Sequence, residues 1–141
     1  MIKPFEAIAV FYKDDEGYYQ AFSPNVEGAI SYGETLDEAR ANIKEAIEGV
    51  IKTAIDKDIA NYFKNEEYKP AKGETVEVVK IDRKLQVAVS IKIAREKAGY
   101  SQREIGKKLG MSQQSISRYE KALIIPSADT FLDLLEANPN S

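Results

Sequence analysis

The stretch SQREIGKKLGMSQQSISRYEK, from Ser101 to Lys121, constrains the fold more than any other, because it encodes two short helices and the turn between them. Ser101 followed by Glu104 predicts a capping box, in which the hydroxyl and the carboxylate each satisfy a backbone N–H left without a partner at a helix start. Ser112, just before QQSIS, predicts a second helix start of the same kind. Gly110 lies between them, and glycine is the residue that readily takes positive φ where a chain leaves a helix. Ile105 and Leu109 stand four apart, Ile116 and Tyr119 three apart, and Met111 sits in the turn, so these residues form the inner faces of two crossed helices. Gly106 falls on the inner side of the first helix, where a missing side chain permits close crossing. The second helix is left with an almost purely polar outer face of Ser112, Gln113, Gln114, Ser115, Ser117 and Arg118.

Such a face can face water, as in a helical hairpin used only for packing, or it can enter a DNA groove. A glutamine amide offers a donor and an acceptor together, which matches adenine N6 and N7 in the major groove. With Ile105, Gly106, Leu109, Gly110, Met111, Ile116 and Tyr119 at the inner positions, the stretch resembles the phage-repressor (Cro, or xenobiotic-response-element) helix-turn-helix, and the likeness extends over about the last 55 residues. The resemblance implies that Gln102, opening the first helix, braces against a phosphate. It also implies that Gln113 and Gln114 read bases, with Ser112, Ser117 and Arg118 beside them.

Charge supports that reading once it is divided along the chain. The net −3 separates into residues 1 to 85, with 12 basic and 17 acidic side chains (−5), and residues 86 to 141, with 8 and 6 (+2). Basic charge therefore gathers where phosphates would be met. The 141 residues, 43% hydrophobic and 30% charged, suit a globular chain of one ordinary domain or two small ones. No apolar run reaches membrane-spanning length and no secretory leader is expected at MIKPFEAIAV. The chain has no cysteine, which fits a reducing, cytoplasmic setting. It also has no histidine, so Ser-His and Cys-His catalysis and the usual zinc sites are excluded by inventory.

The front half reads as α+β. FEAIAVFY (Phe5 to Tyr12) predicts a strand, DDEG (Asp14 to Gly17) a turn, and YYQAF (Tyr18 to Phe22) the return strand of a hairpin. PNVEG is a loop, and Ala29 to Tyr32 a third strand ending at Gly33. Thr35 with Glu38 predicts a second capping box and a long helix, whose stripe of Leu36, Ala39, Ile43, Ala46, Ile47, Val50, Ile51, Ala54 and Ile55 could cover one face of a small sheet. A short helix is expected at Ile59 to Phe63, a surface pair at Glu66-Glu67, and a further strand at Thr75 to Ile81. The domain boundary is expected between residues 81 and 82. Asp82 caps a helix from Leu85 to Lys97, and a final helix follows Pro126-Ser127 and stops at Asn138-Pro139-Asn140-Ser141.

This half carries a second resemblance, in Ser23-Pro24-Asn25, Gly28, Gly33, Thr35, Glu38-Ala39 and Asn42 to Ala46. The pattern is similar to the HicB-type antitoxin domain, a truncated ribonuclease-H-like fold. Asn25, Val26, Glu27 and Ala29 depart from the family's Asp, Leu, second Pro and Cys. Residues 1 to 81 as a HicB-like domain, followed by a repressor-like helix-turn-helix over 82 to 141, match the architecture of a full-length HicB antitoxin. The resemblance implies a non-enzymatic antitoxin of a type II toxin–antitoxin system, without cofactor or metal. It would mask a HicA-like toxin, an mRNA-cleaving ribonuclease that uses a histidine, and repress its own operon as a homodimer or dimer of dimers on double-stranded operator DNA. The alternative is a ligand-sensing repressor with a small-molecule pocket in the front half. Asp14, Asp15 and Glu16 suggest a two-metal nuclease only if carboxylates converge from separate elements; consecutive acids in a turn are otherwise a solvated hairpin tip. Tyr12, Tyr18, Tyr19 and Tyr32 read as sheet packing or interface in preference to RNA stacking.

Overall fold

The β-branched and aromatic run near the N-terminus forms β1 (Ala7–Lys13), an inner strand of the sheet in the computed structural model, which describes residues 3–65 and 67–137. β2 (Tyr19–Phe22), β3 (Ile30–Gly33) and β4 (Glu74–Val79) complete a four-stranded antiparallel sheet in the order β3-β2-β1-β4. Register alternates the faces: Phe11 lies opposite Ala21 and Ala21 opposite Ser31, while Tyr12, Gln20 and Tyr32 align on the other side. The first face buries Ala7, Ala9, Phe11 and Ala21, which are at most 2% exposed.

Helix α1 (Leu36–Ala54) lies against this small-residue face. Of the expected stripe, Ala39, Ile43, Ile47 and Ile51 are fully buried, and each isoleucine contributes roughly 1.5–3 kcal/mol over exposure. The Glu38 N–H donates to the Thr35 hydroxyl at 3.1 Å, starting the helix where expected. Gly33 is required for this approach, since a Cβ there would sit 2.4 Å from the backbone nitrogen of Ala39. Arg40 reaches from α1 to β4, donating to both Glu77 oxygens at 2.9 and 2.8 Å. That pairing raises the pKa of Arg40 and lowers that of Glu77.

The departure at Asn25 has a structural use. Continuing the β1–β2 register places Pro24 opposite Ile8, and proline has no N–H to give. The Asn25 amide takes over, accepting from the Ile8 N–H at 3.0 Å and donating to the Glu6 carbonyl at 2.7 Å. An aspartate could accept the first bond but, ionised, could not donate the second.

The expected helix at Ile59 to Phe63 is not formed; the segment is a succession of turns. Ile59 and Phe63 are both buried, so their four-residue spacing mimicked a helical stripe. What fixes the backbone is the Glu96 carboxylate, which accepts the N–H groups of Ile59 at 2.6 Å and Ala60 at 3.3 Å. Glu66 and the expected stop at Asn138 to Ser141 lie outside the described residues.

The chain divides into two compact units. One is Glu6–Thr53 with Tyr62–Ile81, the sheet and its helix; the other gathers residues 3–5, Ala54–Asn61 and 82–137. In the second, α2 (Arg83–Ala98) starts at Asp82, whose carboxylate accepts from the Lys84 and Leu85 N–H groups, and ends at Gly99 with φ +77°. Its residues from Val87 to Ala94 are all buried. The added segments bond to it: the Phe5 N–H donates to the Ser90 hydroxyl at 2.8 Å, and the Lys92 ammonium donates to the Ile55 carbonyl at 2.5 Å. Among the described residues, no helix is long and apolar enough to cross a membrane.

Candidate nucleic-acid interface

After α2 come three short helices, α3 (Gln102–Leu109), α4 (Gln113–Glu120) and α5 (Ala128–Glu136); α4 and α5 pack on α2, and α3 packs on both of them. Their shared core is Val87, Ile91, Ile105, Ile116, Leu134 and Ala137, flanked by Tyr100, Leu109, Met111, Tyr119 and Phe131. Helices of eight or nine residues are marginal alone. Here each carries its own cap and buries one stripe.

The caps form as the sequence predicts. Ser101 and Glu104 make both halves of a capping box, at 3.0 and 3.1 Å. The Ser101 N–H on the Glu104 carboxylate, and then the Ser101 hydroxyl beside it, draw the Glu104 pKa down. Gly110 closes α3 with φ +70°, and the Met111 N–H returns to the Gly106 carbonyl at 2.8 Å. The Ser112 hydroxyl accepts from the Ser115 N–H at 3.1 Å and starts α4. Gly106 is where the turn folds onto α3: a Cβ there would stand 2.6 Å from the Met111 carbonyl oxygen.

With Ile116 fully buried, the opposite side of α4 faces outward. Gln113, Gln114 and Arg118 are exposed there, Ser112 is exposed at the cap, and Ser117 is half-buried between them. Positions 114, 117 and 118 share one face by helical spacing, with 113 at its N-terminal edge. Gln102 is placed differently. It is half-buried at the start of α3, and its amide donates to Glu120 Oε1 at 3.2 Å. An amide NH2 has two hydrogens, so one remains for an external acceptor.

The side chain that organises this surface was not singled out from the sequence. Glu120, in the last turn of α4, is only 2% exposed. It receives Arg95 of α2 in a two-pronged bond, Nε to Oε2 at 2.7 Å and Nη2 to Oε1 at 2.8 Å, while Arg95 Nη1 donates to the Tyr100 carbonyl at 2.9 Å. Pairing with Glu120 raises the pKa of Arg95. One carboxylate thus fixes α4 against α2 and against the start of α3. No spacing rule could reveal a pair 25 residues apart; the only signal was a glutamate at a position flanked by core residues.

Helix α4 ends in a tight closure at Ala122, whose φ is +59°. The N–H of Leu123 bonds the Arg118 carbonyl and that of Ala122 bonds the Tyr119 carbonyl, a Schellman pattern built on alanine where glycine is usual.

Comparison with known proteins agrees with this geometry in both units. A family described as helix-turn-helix matches residues 91–139, and one described as HicB-like antitoxin of bacterial toxin–antitoxin system matches residues 7–101. The chain belongs to the HicB-like antitoxin family. A UPF0150 protein of Helicobacter pylori is 52% identical over 40 residues, which is 28% of this chain and 54% of that protein, so the chain spans about half the length of that curated relative. Two solved structures are similar. The N-terminal domain of the Burkholderia pseudomallei antitoxin HicB is 27% identical, with 55% of this chain and 98% of that one covered and a TM-score of 0.41. The Burkholderia pseudomallei antitoxin HicB is 19% identical, with 81% and 98% covered and the same TM-score, 0.41. The two family matches together span the α+β front half and the helical back half.

In the acidic hairpin tip, Asp14 holds the turn. Asp14 accepts from the N–H groups of Glu16 and Tyr18 and from the Gln20 amide at 2.9 Å, and these bonds, the last foremost, lower its pKa. Among the described residues no group of acidic side chains is arranged to hold a metal ion.

Proposed function

We propose that this chain is an antitoxin that masks a HicA-like mRNA-cleaving toxin with its sheet-bearing unit and represses its own operon through the helix-turn-helix. The observation that carries the DNA half is the outer face of α4: Gln113, Gln114 and Arg118 stand exposed over a helix whose inner side is locked by Ile116 and Glu120. Gln113 and Gln114 read adenine edges in the major groove, Ser112 and Ser117 assist, and Arg118 with the second Gln102 hydrogen engages phosphate. The exposed Arg103, Lys107 and Lys121 add non-specific attraction.

A single short recognition helix binds weakly, so two copies act together, with their helices about 34 Å apart on a palindromic operator. Leu123, Ile124, Ile125 and Leu132, each at least 42% exposed, give the same unit an apolar surface that supports self-pairing. The net −5 of residues 1 to 85 favours a basic toxin by steering the encounter.

The test is co-expression with the adjacent small reading frame, followed by footprinting on the upstream DNA. The expected result is a co-eluting pair, a neighbour that is lethal alone, and a protected palindrome. Gln113→Ala or Gln114→Ala is expected to remove roughly 1–3 kcal/mol of operator discrimination while toxin neutralisation is kept. Loss of neutralisation along with DNA binding would refute the separation of the two tasks.

A further inference from the structure

The sheet face opposite α1 is only partly covered by the described residues. Over Phe22, the Tyr68 ring packs edge-on at 6.0 Å between centroids, and its hydroxyl donates to Glu74, so this half of the face is closed. Beside it Tyr12, Gln20 and Tyr32 lie in register across β1, β2 and β3, with Ile30 one pair further along next to Phe22. Here Tyr32 is 60% exposed and Ile30 72%. Tyr18 stands edge-on to Tyr32 at 6.3 Å. β3 is an edge strand, so nothing in the sheet lies beyond these two side chains.

Three carboxylates rim the same surface. A cleft of about 360 Å³ is lined by Asp14, Glu16, Tyr18, Gln20, Tyr32 and Glu34, and no basic side chain is among them. Asp14 is committed to its turn, but the carboxylates of Glu16 and Glu34 have no bonding partner among the described residues. Exposed tyrosines beside unpartnered carboxylates suit one type of group, a guanidinium or ammonium that stacks on a ring and pairs with the acids. Large exposed aromatic and aliphatic residues grouped on one face mark a protein-binding surface.

We propose that the Tyr12–Gln20–Tyr32 row with Ile30, rimmed by Glu16 and Glu34, is the surface on which this antitoxin receives its toxin. The occupant is a basic protein that lays an apolar patch on Ile30 and Tyr32 and inserts an arginine or lysine into the acidic cleft. This rests on the antitoxin reading and names the surface that carries it out.

The test uses the full-length chain and the purified protein from the adjacent small reading frame, with affinity read by calorimetry and association rate by stopped flow. Ile30→Ala with Tyr32→Ala is expected to weaken binding at least about tenfold, because exposed anchors at an interface centre dominate affinity. Glu16→Lys with Glu34→Lys is expected to slow association and flatten its salt dependence. Tyr62→Ala, at a side chain 61% exposed outside the cleft, is expected to change affinity less than twofold. All the substituted side chains are exposed or intermediate, and circular dichroism checks that the fold is kept. If the wild-type chain fails to bind the neighbour, the antitoxin reading falls. If it binds and both double variants bind equally well, the surface assignment falls while the antitoxin reading stands. Tyrosine-dependent retention of single-stranded RNA with no effect on the protein complex would also overturn the assignment.

Discussion

Replacing Glu120 with alanine should open the helix-turn-helix from within. The carboxylate is 2% exposed and accepts two bonds from Arg95 and one from Gln102. Its removal leaves the Arg95 guanidinium, whose side chain is only 13% exposed, with the Tyr100 carbonyl as its remaining bond. Breaking a buried pair on one side costs roughly 3–5 kcal/mol, because the surviving charge stays desolvated without compensation. A unit of this size holds only about 3–10 kcal/mol in total, so much of its stability is at stake. Hydrogen-exchange mass spectrometry on the whole chain reads the loss locally: peptides spanning α4 should lose protection by that amount, while β1 peptides keep theirs. The double variant Arg95→Met with Glu120→Leu separates the causes. It removes both charges and should recover all but about 1–3 kcal/mol, the remainder being the Tyr100 carbonyl left without a donor. A single variant costing less than about 1 kcal/mol, or a double variant no better than the single, would show that the pair is effectively solvated and refute its role as a clamp.

Gly106→Ala should destabilise the same unit by about 1–3 kcal/mol in a urea melt despite the better helix propensity of alanine, because the new Cβ would meet the Met111 carbonyl at 2.6 Å. Ala122→Gly should do the reverse and raise the melting temperature by releasing a left-handed backbone that costs an alanine about 1–2 kcal/mol, less the entropy glycine adds to the unfolded chain. Glu104→Gln keeps the capping hydrogen bond but removes the charge. Since folding lowers the Glu104 pKa, its ionic contribution is present above the unfolded value and lost as pH falls through the folded one. The thermal stability gap between wild type and this variant should therefore be open at neutral pH and close on acidification; a gap that persists in acid would contradict the assignment.

What was legible in the sequence was whatever is encoded by neighbours along the chain. Alternation, the DDEG turn, the Ser101, Ser112 and Asp82 caps, and the stripe of α1 are local patterns, and each produced its element within a residue or two. Gly106 was legible because glycine on the inner face of a helix has few uses besides close approach. The failures share an opposite cause. Ile59 to Phe63 carried a helical spacing, but its backbone is fixed by Glu96, 36 and 37 residues away. Ala122 takes a glycine conformation with nothing in its identity to announce it. The Arg95–Glu120 clamp joins two charged residues 25 positions apart, and no local pattern pairs them.

These long-range contacts explain how α4 can be fixed in place while its outer face stays free to vary. Its position depends on Gly106, on Ile116 and on the Glu120 clamp, all of which act from the inner side or through the backbone. Ser112, which starts the helix, also acts through an N–H at 3.1 Å and contributes its side chain to the cap more than to the outer face. Gln113, Gln114 and Arg118 have no part in that support, and substituting exposed residues away from caps and cores usually changes stability by no more than about 0.5 kcal/mol. The side chains proposed to contact bases can therefore be substituted while the scaffold is kept. The same division explains why the tyrosine row can stay exposed on the sheet: the core on the α1 side already secures that unit.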